Sequence, residues 1–327
     1  MRSIVIFTVL VVAFSNGAGS EESSLPKLGI KEVIEVTKDS DMPPWGIFDF
    51  MQPVWSPDGK KLVFTRHQFT GLYVKNADGT GSMKELTSAL YSGYEPVWTS
   101  DSKAIVLRTR KTIVSQSITL IDVETGEVKV IAEKAFHPRQ PERNTRGDVV
   151  IEIDGERKVL DPVTGKLRTM EEYYAEEMPQ DEVRIEMDFR NNRLWVIEGD
   201  KRTQFPHECY YAFLSPTRDK ILFSGRGGCY VSDLHGESLR DLTQLGRLRW
   251  SEDGKRLVGL GAIEEAHYNV IASEIFICNA DGSGMTQLTF TPDIVEDYPR
   301  WSPDGMKIAY SGWNTGKIYV AILEEVK

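Results

Sequence analysis

The sequence lacks any cluster of lysine and arginine, and it lacks an apolar run long enough to cross a membrane. Its formal net charge is −10 and its pI is near 5.2, which excludes nucleic acid as a partner. The longest apolar run, Ile4 to Phe14, has 11 residues, whereas a transmembrane helix needs about 20. We therefore expect no membrane span.

The same short run predicts export instead. Met1-Arg2-Ser3 gives a positive start, and small residues from Ser15 to Ser20 follow the apolar run. This pattern is typical of a secretory signal peptide, which we assign to residues 1–20, with a flexible leader at 21–29 and one folded domain at 30–327. No cysteine follows the run, so a lipid anchor is not indicated, and we expect a periplasmic or secreted protein.

Cysteine is scarce, with three residues in the chain. We expect Cys209 and Cys229 to lie at the same end of one sheet. The sequence does not decide whether they form a disulfide. Their strands are not neighbours, and about 9.6 Å would separate the strand axes, which is too far unless Cys209 swings in from its loop. Cys278 lies in an apolar strand and is interpreted as a buried thiol.

No helix-period segment of useful length is present, and a β repeat takes its place. Trp301-Ser302-Pro303-Asp304-Gly305 is nearly copied at Trp55 and more loosely at Trp98, Leu214 and Trp250. Proline and glycine in this pattern predict a tight turn between two antiparallel strands. A third and a fourth strand follow in each unit, which indicates a four-stranded blade. Residues Thr169 to Met178 could form a turn or two of helix, but we interpret them as leading into the fourth blade.

Seven such units fit the chain, with spacings of roughly 34 to 51 residues. The third and fourth units are weak, so six is the alternative count. Ile30 to Val36 reads as a lone strand, and the last unit lacks its fourth strand. We predict an all-β fold, a single β-propeller in which the N-terminal strand completes the last blade and removes two exposed edges.

The repeated Pro-x-Trp-Ser-Pro-Asp-Gly, the apolar strand after it and the closing Leu-Thr resemble the propeller repeat of TolB-like periplasmic proteins. Similar repeats occur in the N-terminal propellers of some prolyl peptidases and in oligogalacturonate lyases. The resemblance implies a propeller, which serves as a scaffold, a partner-binding surface or, less often, an enzyme. About 35 residues lie between the expected signal cleavage and Trp55, so the separate α/β domain of TolB is not expected. The sequence also contains no Gly-x-Ser-x-Gly, the pattern of a hydrolase domain.

Loop lengths divide the expected propeller into two faces. The tight turns after the first strands lie on one face, and longer second-to-third-strand loops and links between blades lie on the other, which we call the long-loop face. Binding usually resides in long loops on a rigid scaffold. Our candidate ligand-binding residues on that face are Trp45, Arg66, His67, Arg108, Arg110, His137, Arg139, His207, Arg226 and His267.

Two kinds of site could use these residues. The histidines, with Glu95, Glu208, Glu264 or Asp297 as companions, could form a metal or general-base site, but they show no close metal-ligand spacing, and we predict no metal and no cofactor. The arginines could bind an acidic saccharide or a carboxylate. The repeated tryptophans are interpreted as packing between blades, whereas Trp45 and Trp313 are candidates for exposed aromatics.

These observations favour an exported, monomeric, non-catalytic scaffold that binds a protein or a ligand through the long-loop face. The alternative is a polysaccharide-active enzyme similar to oligogalacturonate lyase, with its site at the mouth of the central channel. Convergence of several histidines with a shared acidic neighbour would favour the enzyme.

Overall fold

A computed structural model describes residues 25–41, 50–110, 116–135, 141–144, 147–153, 155–177, 183–188, 190–266 and 269–326. Within these ranges the chain forms seven antiparallel sheets, which are the blades of a β-propeller. The predicted fold and the count of seven blades are confirmed, and the alternative count of six is wrong. The predicted signal peptide at 1–20 lies outside the described residues.

The first strand along the chain, β1 (Lys27–Glu35), belongs to the last blade. Blade 1 contains β2 (Met51–Trp55), β3 (Lys61–Arg66), β4 (Thr70–Asn76) and β5 (Lys84–Thr87). Blade 2 contains β6 (Val97–Trp98), β7 (Ala104–Arg110), β8 (Gln116–Asp122) and β9 (Val128–Ala135). Blade 3 contains β10 (Glu142–Arg143), β11 (Val149–Ile153), β12 (Glu156–Leu160) and β13 (Leu167–Thr169).

Blade 4 has three strands in the described part of the chain, β14 (Val183–Asp188), β15 (Arg193–Glu198) and β16 (Lys201–Gln204). Blade 5 contains β17 (Tyr211–Leu214), β18 (Lys220–Gly225), β19 (Gly228–Asp233) and β20 (Arg240–Asp241). Blade 6 contains β21 (Leu245–Trp250), β22 (Arg256–Ala266), β23 (Asn269–Asn279) and β24 (Thr286–Gln287). Blade 7 contains β25 (Glu296–Trp301), β26 (Lys307–Gly312), β27 (Lys317–Val326) and β1.

The ring closes as predicted. Strand β1 pairs antiparallel with β27, from Lys27 opposite Val326 to Glu35 opposite Tyr319. The strand begins at Lys27, so residues 27–29, which we assigned to the flexible leader, are part of the propeller. Pairing the two ends of the chain in one sheet covers an edge that each would otherwise expose.

The repeated turn is held by its own side chains. The Ser56 hydroxyl donates to Asp58 at 2.6 Å and accepts from the Lys61 amide at 2.9 Å, and Gly59 takes a left-handed φ of 68°. The same serine or threonine to aspartate bond, two residues apart, recurs in blades 2, 6 and 7, and in blade 5 Ser215 bonds Asp219, four residues later. Because these bonds are local, the short motif specifies the turn in each blade.

The tryptophans of the motif pack between blades, as predicted. Trp55, Trp98 and Trp301 are buried. The indole of Trp55 donates to the carbonyl oxygen of Arg300 in the preceding blade, and that of Trp98 to Val54. Buried apolar clusters follow the same arrangement, since one cluster joins residues of blades 7 and 1 and another joins blades 1 and 2.

The fourth unit departs from the repeat. Residues Met170–Glu177 form helix α1, the turn or two of helix that the sequence left open, and the helix leads from β13 of blade 3 to β14 of blade 4. Thr169 and Glu172 form a reciprocal N-terminal cap, in which the Thr169 amide donates to the Glu172 carboxylate at 2.8 Å and the Glu172 amide to the Thr169 hydroxyl at 3.1 Å. Tyr173 anchors the helix against Val150 and Val159 of blade 3.

The cysteines are free thiols, so the disulfide that the sequence left open between Cys209 and Cys229 is absent. Burial raises the pKa of Cys209 and of Cys278 to about 12, with smaller effects from neighbouring acids, and burial raises that of Cys229. These thiols are therefore weak nucleophiles at neutral pH. None of the helices in the described ranges is both long and apolar enough to span a bilayer.

Candidate functional site

Four of the predicted ligand-binding residues gather on the long-loop face of blades 1 and 2. Arg66 and His67 end β3 and begin the loop after it, and Arg108 and Arg110 stand at the end of β7. Exposed aromatic and aliphatic side chains surround them. We call this group the arginine–aromatic surface, and it comprises Arg66, His67, Phe69, Leu90, Tyr91, Tyr94, Arg108, Arg110 and Trp313.

Contacts between rings and guanidinium groups hold this surface together. The Arg110 guanidinium lies 4.5 Å from the centre of the Tyr91 ring, and the Phe69 and Tyr94 rings meet edge to face at 4.9 Å. The His67 and Trp313 ring centres are 6.2 Å apart, which extends the surface to blade 7. Leu90, Tyr91, Tyr94 and Trp313 remain exposed by 37% to 54%. Trp313 is thus the exposed aromatic residue that the sequence indicated.

The link between blades 1 and 2, residues 88–96, carries three of these side chains and is packed tightly at its centre. The Gly93 amide donates to the Phe69 carbonyl oxygen at 3.2 Å, and the Arg110 amide donates to that of Leu90 at 3.2 Å. A Cβ atom on Gly93 would lie 1.9 Å from the Thr65 hydroxyl oxygen. Only glycine allows this approach.

Two arginines of the surface repel one another. Partial burial lowers the pKa of Arg108, and the positive charge of Arg110 lowers it further, while Tyr94 acts in the opposite direction. Two guanidinium groups within electrostatic reach are stabilised by an anion placed between them. The arginine–aromatic surface therefore combines a preference for negative charge with apolar contact area.

The remaining predicted residues are not brought into this surface. Trp45, His137, Arg139 and His267 lie outside the described residues. His207 stacks on Phe223 of blade 5 with ring centres 5.7 Å apart, and its Nε2 lies 2.9 Å from the Gly236 carbonyl oxygen. Arg226 stands between β18 and β19 in the same blade. His67 and His207 thus belong to different blades, and no group of three or more histidine, cysteine or acidic residues suited to a metal occurs in the part of the chain that the structure describes.

A second candidate region lies in the central channel. A cavity of about 260 Å³ is lined by inner-strand residues of blades 1, 2, 3, 6 and 7. Within it the Glu95 carboxylate accepts hydrogen bonds from Arg300 at 3.0 and 3.2 Å and from Arg249 at 3.4 Å. Burial alone would raise the pKa of Glu95, but the two arginines outweigh it and lower the pKa. Burial, followed by the charge of Arg300, lowers the pKa of Arg249 to about 10.

A second acidic residue and a third arginine face each other beside this pair. Arg247 and Asp297 form an ion pair at 2.5 Å, and the Arg247 guanidinium lies 4.0 Å from the centre of the Tyr298 ring. Burial raises the pKa of Asp297 in spite of the opposing charge of Arg247. The channel therefore holds alternating acidic and basic groups that neutralise one another in large part.

Four residues at the channel stand at equivalent positions of the repeat. Gln52, Glu95, Arg247 and Tyr298 each stand three residues before the tryptophan of their blade, and each has a left-handed φ between 46° and 53°. Three of the four inner strands have a register shift there. Left-handed non-glycine residues and bulges cost energy and cluster at functional sites.

Sequence reasoning identified Glu95 and Asp297 only as companions to histidines, and it missed Arg247, Arg249 and Arg300. A signal was present in the inner strand of each blade. Side chains alternate along a strand, so the residues one and three positions before the motif tryptophan are expected to face the channel. Aligning those positions across the blades would have placed the three arginines together.

No protein-family model matches the chain, and no curated protein matches it. Among solved structures, an oligogalacturonate lyase from Vibrio parahaemolyticus is 13% identical, with a TM-score of 0.56 over 91% of this chain and 98% of the lyase. An oligogalacturonate lyase in complex with manganese is 16% identical, with a TM-score of 0.58 over 92% of this chain and 98% of the lyase. TolB from Acinetobacter baumannii is 17% identical, with a TM-score of 0.41 over 85% of this chain and 64% of TolB.

The predicted resemblance is confirmed at the level of the fold. The two oligogalacturonate lyases, whose TM-scores exceed 0.5, share the propeller fold that the repeat predicts. At these identities the similarity to the lyases shows the propeller fold, and it does not decide between a scaffold and an enzyme.

Proposed function

We propose that this chain is an exported, non-catalytic propeller that binds an acidic, aromatic-containing protein segment on the arginine–aromatic surface. The observation that carries the proposal is the contact of Arg110 with the exposed Tyr91 ring, with Arg108 in electrostatic reach of Arg110 and Tyr94 on the same side of the long-loop face. Arginine and aromatic residues are the types most enriched where protein interfaces bind tightly.

The chemistry of the surface favours a protein segment over a free small anion. Leu90, Tyr91, Tyr94 and Trp313 are 37% to 54% exposed, and a flexible peptide can cover exposed side chains of this kind. Carboxylates on that peptide would bind the guanidinium groups, and its apolar residues would contact the exposed rings. The whole chain has a formal net charge of −10, so we expect acidic peptides to bind only where the arginines gather.

Selection from a peptide library on the purified protein tests this function. We expect the selected peptides to combine Asp or Glu with aromatic residues. Fluorescence anisotropy should then show binding that weakens about tenfold in Arg108→Ala and again in Arg110→Ala, because each loses a charge-assisted bond. Affinity should also fall as salt concentration rises.

The chain offers a matched control for these variants. Arg226 lies on the same long-loop face but in blade 5, so Arg226→Ala should leave peptide affinity unchanged. Selection of peptides without acidic residues, or equal losses in all three variants, would contradict the proposal. The proposed export is tested separately by locating the full chain and a variant without residues 1–20 in cell fractions.

The channel arginines favour one alternative, an enzyme or binding protein for acidic saccharides similar to oligogalacturonate lyase. Arg249 and Arg300 could bind a sugar carboxylate in place of Glu95. Incubation with oligogalacturonate, with and without Mn²⁺, tests this by ultraviolet absorbance of the unsaturated product. Product formation that Arg300→Ala abolishes would establish the enzyme, and its absence under both conditions supports the scaffold.

A further inference from the structure

Two glutamates are buried side by side between blades 6 and 7. Glu274 lies in β23 and is 6% exposed, and Glu296 begins β25 and is 1% exposed. Thr291, in the link between these blades, binds both of them. Its amide donates to Glu274 Oε1 at 2.9 Å, and its hydroxyl donates to Glu296 Oε1. One residue therefore holds the two carboxyl groups close together.

The second oxygen of each carboxyl group has no hydrogen-bond partner. Glu274 Oε2 and Glu296 Oε2 are fully buried and unbonded, and so is the hydroxyl of Tyr310, which is 0% exposed. The pKa of Tyr310 is raised, first by burial and then by the negative charge of Glu296, with Glu274 contributing as well. The three orphan oxygen atoms thus belong to one electrostatically coupled group, and buried polar atoms without partners are rare in folded proteins.

The position of Glu296 departs from the repeat. It stands five residues before the motif tryptophan, where blade 1 has Phe50 and blade 6 has Leu245, both of which are buried. In two other blades an apolar residue fills this buried position, so the packing of the blade does not require a glutamate. A buried carboxyl group there needs a separate explanation.

One added proton completes the hydrogen bonding of this group. The two free carboxylate oxygens have no donor, and the Tyr310 hydroxyl bonds neither of them. A proton shared between Glu274 and Glu296 would serve both oxygens. A calcium ion would need six to eight oxygen ligands, and the described side chains offer three free oxygen atoms here. A proton therefore fits the group better than a metal ion does.

The surroundings contain little positive charge to replace that proton. Burial raises the pKa of Glu296 to about 8, and the negative charge of Glu274 adds to the effect, against the hydrogen bond from Thr291. Tyr310 of β26 faces both glutamates, and Tyr319 of β27 stacks on Tyr310 at 5.4 Å but donates its hydroxyl to Thr315. The next residue of β25, Asp297, is paired with Arg247, and Asp293 in the link is exposed.

We propose that Glu274 and Glu296 share one proton at neutral pH, and that its loss at alkaline pH loosens the link Thr289–Val295 and the channel residues that follow it. Two adjacent buried negative charges repel each other and cannot both keep their bonds to Thr291. Because Asp297 and Tyr298 directly follow Glu296 in β25, a shift of this strand end reaches the Arg247 pair in the channel. The site is a pH-sensitive joint between blades 6 and 7.

Urea unfolding at pH 6 and pH 9 tests the proposal with wild type, Glu296→Gln and Glu324→Gln. In the unfolded chain Glu296 loses its proton at a lower pH than in the folded chain, so folding is favoured less as the pH rises toward 8. The unfolding equilibrium constant of the wild type should rise roughly 10- to 100-fold between the two pH values. Glu296→Gln should remove most of that rise, whereas Glu324→Gln, in the exposed end of β27, should behave as the wild type.

Two further measurements keep the outcome decisive. At pH 9, amides of residues 289–298 should exchange hydrogen faster in the wild type than in Glu296→Gln. If that variant does not fold, Glu274→Gln takes its place in the same comparison. The second measurement is infrared spectroscopy, which should show the band of a protonated carboxyl group in the wild type at pH 7. An identical pH dependence in wild type and variant would overturn the proposal. So would stabilisation by Ca²⁺ or Na⁺ that Glu274→Gln abolishes, because the pair would then bind a cation.

Discussion

Glu95 binds Arg300 through both oxygens of its carboxylate, at 3.0 and 3.2 Å, although 205 residues separate them. Glu95 lies just before blade 2, and Arg300 lies near the end of the inner strand of blade 7. The bond therefore spans blade 1 across the channel, and Arg249 adds a contact from blade 6. Three blades are connected through one carboxylate.

Replacement of this carboxylate should destabilise the ring. Glu95→Gln leaves Arg249 and Arg300 facing each other without a counter-charge, and we expect the free energy of unfolding to fall by about 1–2 kcal/mol because the site is partly solvated. Citrate should restore stability in the variant more than in the wild type. Chemical denaturation measures both effects, and Glu252→Gln, an exposed residue that lines the same cavity, is the control. Equal responses to citrate in the two variants would contradict this role.

A methyl group at Gly93 should disrupt the arginine–aromatic surface. Its Cβ would lie 1.9 Å from the Thr65 hydroxyl oxygen and 2.1 Å from the Thr65 Cβ, so the link between blades 1 and 2 must move. We expect Gly93→Ala to lower the free energy of unfolding by about 1–3 kcal/mol and to weaken peptide binding. At Gly246 an added Cβ meets no atom within 4 Å, and Gly246→Ala should change stability by less than about 0.5 kcal/mol. Similar losses in both variants would show that the close packing at Gly93 is unimportant.

The propeller could be predicted from the sequence because each turn is specified locally. Ser56 and Asp58 bind within five residues of chain, and the copies at Ser251 and Ser302 do the same. The helix Met170–Glu177 also had a local signal, the Thr169 and Glu172 cap, which the surrounding β repeat outweighed. Where local bonds decide a structure, the sequence is sufficient to predict it.

The candidate sites were only partly predictable for the opposite reason. Arg108 and Arg110 follow an evident strand, so their face could be predicted. The partner of Arg300 lies 205 residues away, and only an alignment of equivalent positions across the blades connects the two. The pair of Glu274 and Glu296 was also missed, because its distinguishing property is a shared burial that only the packed blades create.

The ring closure should depend on a buried ion pair between blade 1 and the residues that follow β1. Lys75 binds Asp41 at 2.5 Å, and their side chains are 3% and 11% exposed. Removing one partner of a buried pair leaves an uncompensated charge, so Lys75→Met should lower the free energy of unfolding by about 3 kcal/mol. Lys255→Met, at an exposed turn of blade 6, should change it by less than about 0.5 kcal/mol. Denaturant titration distinguishes the two, and equal effects would mean that Lys75 does not secure the closure.

Acid should weaken the repeated turns, and blade 5 offers the clearest case. Burial tends to raise the pKa of Asp219, but hydrogen bonds from Lys220, Thr217 and Ser215 outweigh it and lower the pKa to about 2. A lowered pKa in the folded state means that the stabilisation is present above pH 3.8 and is lost as the pH falls toward 2. Because the side chain is 53% exposed, solvent screening limits the effect to about 1 kcal/mol.

Thermal denaturation of wild type and Asp219→Asn between pH 5 and pH 2 measures this contribution. The variant should be less stable than the wild type at pH 5, and the difference should shrink as the pH falls toward 2, where about half of the wild-type carboxylate is protonated. A difference that stays constant over this range would show that the aspartate acts through its shape and not through its charge. The same comparison at Asp304, whose pKa is lowered by hydrogen bonds from Ser302 and Met306 against the effect of burial, would show whether the contribution is a property of the repeat.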